Sequence, residues 1–233
     1  MMHKKLVLFD IDGTLISPGP LARQILAEAV SQFLGRMIEL SFYEVAGFTD
    51  PIIVRNALVR HSNDGQPSKR DIDTILEHFL CLVEERFPAE NSVKVFPGAE
   101  ELVKACTMEG WVPALLTGNM ERGARVKMAD TNMWDLFAFG VFGGDGNARE
   151  DLPWVARERA WDVLHEAFLP EHTILVGDTP NDARIGNINR VPSMIVCRRD
   201  EADWRKAIEQ ENPTWLVEDF GDVPGLISMM KNG

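Results

Sequence analysis

A chain of 233 residues, 45% hydrophobic and 26% charged, is long enough to bury a substantial core, either as one large domain or as a core with a smaller insert. Its net charge of −12 repels polyphosphate backbones, which argues against general nucleic-acid binding and requires a site for an anionic substrate to carry its own cations. No apolar run approaches the ~18 residues that span a bilayer, and Met1–Lys5 lead into an apolar strand without a signal-peptide layout, so a cytoplasmic protein with no membrane partner is expected. Cys81, Cys106 and Cys197 are far apart and odd in number. They read as buried thiols in a reducing compartment.

Leu6–Phe9 is a continuous apolar run that stops at Asp10, the pattern of a buried parallel strand. Residues 20–90 then contain no convincing strand. Leu21–Leu34 has helical periodicity, Pro51–Arg60 follows the candidate caps Thr49 and Asp50, and Ser68–Phe87 opens with Ser68 and Asp71 at capping-box spacing. Asn63-Asp64-Gly65-Gln66-Pro67 is a loop signal. From there strands and helices alternate. Strands are predicted at Val112–Leu116, Phe139–Phe142, Thr173–Val176 and Ser193–Val196, and helices at Ala99–Met108, Arg122–Asp130, Leu152–Ala167 and Pro180–Ile188. Alternation of this kind predicts an α/β fold, a Rossmann-like parallel sheet with helices on both faces. The strand-free stretch is read as a small all-helical domain, residues 18–92, inserted into a core of residues 1–17 and 93–233.

Three polar clusters sit at the C-terminal ends of predicted strands, where open α/β sheets bind ligands. They are Asp10-Ile11-Asp12-Gly13-Thr14, Thr117-Gly118-Asn119 and Asp178-Thr179-Pro180-Asn181-Asp182. Asp10 and Asp12 are two apart, so in extended geometry both carboxylates point one way. A divalent cation relieves their repulsion, one can keep a raised pKa for proton transfer, and a carboxylate is a competent nucleophile toward phosphorus. Gly13 permits a tight turn, and Thr14 offers a hydroxyl and an N–H to a phosphate oxygen. Glycine in fourth place does not fit an EF-hand calcium loop, which needs it sixth.

The order and strand context of these clusters resemble the haloacid dehalogenase superfamily, on its phosphatase side and with a helical cap inserted after the first motif. The resemblance implies a Mg²⁺-dependent phosphomonoester hydrolase with Asp10 as nucleophile and Asp12 as general acid/base. It implies that Thr117 holds a phosphate oxygen, with Gly118 and Asn119 beside it in the substrate site. Mg²⁺ would be bound by Asp10, the main-chain carbonyl of Asp12 and Asp178, with Asp182 supporting Asp178 or a metal-bound water. The family commonly carries a lysine before the last acidic motif, but no lysine occurs between residues 140 and 200. Arg149, at the head of the preceding helix, takes that position, and Arg157 and Arg159 read as surface or ion-pairing residues. In capped relatives a loop between the first cap helices reads the leaving group, which makes Phe48, Thr49 and Asp50 candidate specificity residues. The expected partner is a small phosphorylated metabolite, and phosphoglycolate, a sugar phosphate or a nucleotide all fit. A dehalogenase has no need of Asp12 or a metal. A phosphonatase requires a cap lysine, of which Lys69 is the one present. A sugar-phosphate mutase shares every core motif, and a non-catalytic binding protein would have no reason to keep every charge.

Overall fold

The computed structural model describes residues 4–17, 19–61, 66–90, 93–198 and 202–232. Its centre is a parallel sheet of six strands: β1 (Leu6–Phe9), β4 (Val112–Leu116), β5 (Gly140–Val141), β6 (Thr173–Gly177), β7 (Ser193–Val196) and β8 (Trp215–Val217), in spatial order β5-β4-β1-β6-β7-β8. β1 lies between β4 and β6, with Leu6 level with both Val112 and Thr173. All four β1 residues are inaccessible to solvent, because the sheet is covered on both faces. Val7 and Phe9 pack toward α5 (Ala99–Met108), α6 (Glu121–Met128) and α10 (Val223–Asn232), while Leu6 and Leu8 pack toward α7 (Leu152–Leu164) and α8 (Pro180–Asn189). α9 (Ala202–Gln210) extends the second face through Trp204 and Ile208 against Ile195. This alternation of one apolar strand between two cores is why its sequence shows no polar residue.

A second apolar cluster is built from α1 (Leu21–Leu34), α3 (Asp50–His61) and α4 (Lys69–Glu90), through Ile25, Val54, Ile75 and Phe79 among others. The Ser68–Asp71 capping box at the head of α4 forms as the spacing predicts. A short helix, α2 (Phe42–Val45), and a two-stranded antiparallel pair, β2 (Ile16–Ser17) with β3 (Lys94–Val95), complete the chain path. The pair sets the two ends of the helical stretch side by side.

The structure departs from the sequence reading in several places. The strand expected at Phe139–Phe142 shrinks to Gly140–Val141 at the sheet edge. α9, β8 and α10 were not anticipated; β8 is a partly exposed edge strand of three residues, too short to show a period. Cys106 and Cys197 are buried, but Cys81 is exposed, since α4 turns Leu80 and Val83 inward and leaves residue 81 on its outer side. Asn63, Asp64 and Gly65 of the expected loop lie outside the described residues, as do residues 18 and 92 at the expected insert boundaries. Among the described residues no helix is long and apolar enough to cross a membrane.

Candidate active site

β1, β4 and β6 end side by side, and the residues that follow them, Asp10, Thr117 and Asp178, open into one cavity of about 590 Å³. After β1 the chain turns tightly: Gly13 has φ 82° and its N–H donates to the Ile16 carbonyl at 2.8 Å. A Cβ at Gly13 would lie 2.1 Å from Asp178 Oδ2. Glycine therefore permits both the left-handed turn and its approach to the third motif.

Asp10, Asp178 and Asp182 each present a carboxylate oxygen, and these atoms lie within 4.8 Å of one another. Asp10 Oδ2 pairs with Arg149 Nη2 at 3.0 Å, while its Oδ1 is buried without a hydrogen-bond partner. Burial pushes the Asp10 carboxyl up to about 6, against the pull of Arg149 and with the repulsion of Asp182 and Asp12. Asp178 is raised well above the ordinary carboxylate range by burial, then by the charges of Asp182 and Asp10. A crowded set of hard oxygens held at this cost, one of them unpartnered, fits a bound Mg²⁺.

Arg149 is 4% exposed, on a 3-10 turn just before α7. Its Nη2 bridges Asp10 and Asp182 Oδ1, the latter at 2.7 Å. Burial opposes its charge, but the attraction of Asp182 and Asp10 outweighs this and raises its pKa. Asp182, expected among the metal residues, contributes an oxygen to this cluster, and both its oxygens also accept hydrogen bonds from the protein. Oδ1 holds Arg149, and Oδ2 accepts from the N–H and hydroxyl of Thr179, 3.1 and 2.7 Å away, in the capping box that opens α8. These bonds anchor Arg149 and the helix start. Arg159 sits in an ion pair with Asp145, as expected of it.

Asp12 faces the same cavity. Its Oδ2 accepts from Lys127 Nζ at 2.5 Å and from Asn119 Nδ2 at 2.9 Å, and its Oδ1 is buried without a partner. Asn119 also donates to Thr117 Oγ1 from its backbone and its side chain. Those two bonds occupy the oxygen's lone pairs and leave the Thr117 O–H to be donated. Lys127 was missed by the sequence reading, although a signal exists. α6 buries Gly123, Ala124, Lys127 and Met128, one face at helical spacing, so the lysine sits where the apolar pattern calls for a core residue. Arg198 was missed as well. It lies just beyond the end of β7, lines the cavity, stacks over Phe96 with 3.9 Å to the ring centroid, and donates to the Gly13 carbonyl at 2.7 Å.

The 47–50 segment sits directly on the strand ends. Asn181 Nδ2 donates to the Gly47 carbonyl, Asp50 N–H donates to the Gly118 carbonyl at 2.8 Å, and Asp50 Oδ2 accepts from Met120 N–H at 2.8 Å. Gly118 permits this, since a Cβ there would stand 2.1 Å from the Phe48 carbonyl oxygen. Gly118 thus serves the docking of the loop. Phe48 and Asp50 line the cavity, whereas Thr49 and Thr14 do not. Thr49 turns toward Gly143, and the Thr14 hydroxyl lies behind Asp178, 3.5 Å from its Oδ1. Asp50, expected as a cap of its own helix, spends its carboxylate on the head of α6 instead.

Burial pushes the Asp50 carboxyl up to about 6, with Lys127 pulling the other way. A group that holds its proton more tightly folded than unfolded stabilises the fold increasingly as pH falls from 7 toward its unfolded value near 4. Asp50→Asn removes the charge and keeps an acceptor for Met120 N–H. It is expected to raise Tm by about 3–6 °C at pH 7.5, with the gain over wild type shrinking as pH is lowered to 5. Thermal melts across that range check this, and a Tm below wild type at pH 7.5 would contradict it.

A sequence model described as haloacid dehalogenase-like hydrolase matches residues 4–187. The chain belongs to the haloacid dehalogenase-like hydrolase family. It is an enzyme, and curated relatives within reach of its sequence are phosphatases. The phosphoglycolate phosphatase of Pseudomonas savastanoi pv. phaseolicola is 26% identical over 229 residues, covering 97% of this chain and 80% of the relative. That of Haemophilus influenzae (strain ATCC 51907 / DSM 11121 / KW20 / Rd) is 22% identical over 229 residues, covering 96% and 98%. Among solved structures, a phosphonoacetaldehyde hydrolase-like protein from Oleispira antarctica superposes with a TM-score of 0.74 at 20% identity, covering 100% of this chain and 94% of the other. At that identity the superposition establishes the haloacid dehalogenase fold and nothing finer.

Proposed function

We propose that this haloacid dehalogenase-like hydrolase is a Mg²⁺-dependent phosphatase that moves the phosphoryl group of a small phosphomonoester onto Asp10 and then to water. The observation that carries the proposal is the buried, unpartnered Oδ1 of Asp10 beside Asp178, with Arg149 on its other oxygen. Asp10 and Asp178, with the main-chain carbonyl of Asp12, would hold the metal. When bound, Mg²⁺ would supply positive charge to the phosphoryl oxygens. Arg149, held by Asp182, and the Thr117 hydroxyl are placed to bind the remaining oxygens. Asp10 attacks phosphorus as the ester P–O bond breaks, and Asp12 delivers a proton to the departing oxygen. Water then attacks the aspartyl phosphate, Asp12 takes its proton, and phosphate leaves with Asp10 restored. Asp12 Oδ1, without a partner, is the oxygen from which the proton would move.

Residues 18–92 are proposed as a cap domain over a core of residues 1–17 and 93–233, with the 47–50 segment as its contact with the leaving group. A phosphonatase reading lacks support. Lys69 stands at the exposed head of α4 and does not line the cavity, and the lysine that does, Lys127, is ion-paired with Asp12.

The test is turnover of a phosphomonoester panel by purified protein with Mg²⁺ and with excess chelator. Activity is expected to require Mg²⁺ and to fall to background in chelator. Ca²⁺ is expected to inhibit, since it takes more ligands in looser geometry. Full turnover in chelator would sink the mechanism.

A further inference from the structure

We infer that Lys127 and Asn119 are positioning residues for proton transfer: they hold one oxygen of Asp12, so that the other oxygen alone carries the proton to and from the reacting atoms. This rests on the phosphatase reading above. In water either oxygen of a carboxyl group can take the proton. In Asp12 the two are not equivalent. Oδ2 accepts from Lys127 Nζ at 2.5 Å and from Asn119 Nδ2 at 2.9 Å, which fills its lone pairs, whereas Oδ1 is buried without a partner. A third bond closes the network into a ring, since Lys127 Nζ also donates to Asn119 Oδ1 at 2.5 Å. The ring fixes the Asn119 amide as well. Turned over, that amide would set its NH₂ against the ammonium and its oxygen against the carboxylate. Rotation of the Asp12 carboxylate therefore breaks two bonds at once, both of them charge-assisted.

Lys127 is 5% exposed, although Glu121, Arg122 and Arg125 of the same helix lie in water, where a lysine would cost little. The helix that presents it is pinned. Asp50 Oδ2 accepts from Met120 N–H at its head, and Arg122 pairs with Glu77 and Glu84 of α4 at 2.8 Å each. A group that fixes another side chain has to come from such a supported element. In the first step the proton leaves Asp12 Oδ1 for the ester oxygen as the P–O bond breaks, and the leaving group departs as the alcohol. In the second, the same oxygen takes a proton from the attacking water. Lys127 and Asn119 keep their own protons throughout. A lysine that held the phosphoryl group would act on every substrate, whereas one that holds Asp12 acts only where a proton moves.

The experiment measures three rates with Mg²⁺: phosphorylation of Asp10 by acetyl phosphate in a single turnover, decay of the phosphoprotein, and kcat for the alkyl phosphate that the wild type turns over fastest. Lys127→Met replaces the lysine with an unbranched side chain that adapts to buried sites. It is expected to lower kcat for the alkyl ester about 100-fold, the penalty of a reacting group displaced by about 1 Å. Decay of the phosphoprotein should slow by a similar factor. Phosphorylation by acetyl phosphate, whose acetate leaves without a proton, should keep the wild-type rate. Lys127→Arg keeps the charge at a different reach. It should show the same split in smaller measure, and it decides the matter if Lys127→Met does not fold. Equal losses with both substrates would assign Lys127 to the phosphoryl group or to the fold, and unchanged rates in a folded variant would assign it no part in the reaction; either result overturns the inference. If the wild type carries phosphate on Asp10 and the split is absent, the inference falls and the phosphatase reading stands. If neither substrate phosphorylates the wild type, both fall.

Discussion

Asp10→Asn is expected to abolish turnover of every phosphomonoester, while Asp12→Ala is expected to trap the enzyme halfway. The two carboxylates share a turn but not an environment. Asp10 is buried against Arg149, with its other oxygen buried and unpartnered, while Asp12 is fixed by Lys127 and Asn119. Removing the nucleophile removes the covalent route altogether. Removing Asp12 deletes only proton transfer, typically worth ~10²–10⁴-fold, and the loss depends on the leaving group. Alkoxides need the proton. Acetate leaves acetyl phosphate without it, so Asp10 can still be phosphorylated, and the intermediate then persists because the attacking water has lost its base. Mass spectrometry of Asp12→Ala treated with acetyl phosphate should find phosphate on Asp10. Label on a histidine or serine, or none where the wild type turns over, would refute the assignment.

Arg149→Ala is expected to reduce kcat by orders of magnitude and also to lower stability. Arg149 is not a solvated residue waiting for a phosphate. It is the buried counter-charge shared by Asp10 and Asp182, themselves 4% and 0% exposed. Breaking a buried ion pair by removing one partner typically costs ~3–5 kcal/mol, which for a chain of this length corresponds to a Tm lower by about 10 °C. Melts in chelator isolate this effect from compensation by a metal. Arg149→Lys should recover part of the stability and less of the activity, because an ammonium keeps the charge but lacks the guanidinium's further donors for a phosphoryl group once its nitrogen is held by the carboxylates. Arg157→Ala, outside the cavity lining, should change little. Equal and mild effects from the alanine variants at 149 and 157 would show that the phosphoryl cation lies elsewhere, with Lys127 the next to test.

Much of this arrangement was legible in the sequence because it rests on strand ends. Leu6–Phe9, Val112–Leu116 and Ser193–Val196 are bounded as the apolar runs suggest, and the polar residues that follow the first two meet in the cavity. Strands buried on both faces have few ways to be anything else. What could not be read are side chains whose direction depends on a neighbouring element. Lys127 reaches Asp12 only because α6 packs its face inward, and Asp50 leaves the cap position of its own helix for the N-terminus of another. Arg198 was within reach of the rule that selected Asp10 and Asp178, since it lies two residues past the end of β7. It carries no acidic or glycine signature to mark it.

The position of β1 has a consequence for the chain as it is made. Its four residues are fully inaccessible in the finished fold, yet both partners, β4 and β6, are encoded roughly 100 and 170 residues later. At the ~5–20 residues per second of ribosomal synthesis, Leu6–Phe9 emerges many seconds before either neighbour exists. The helical stretch between them has an apolar cluster of its own and can collapse during that interval, while the first strand waits with both edges open. Nascent chains halted before residue 112 should therefore be the aggregation-prone species, and the ones most dependent on holding chaperones.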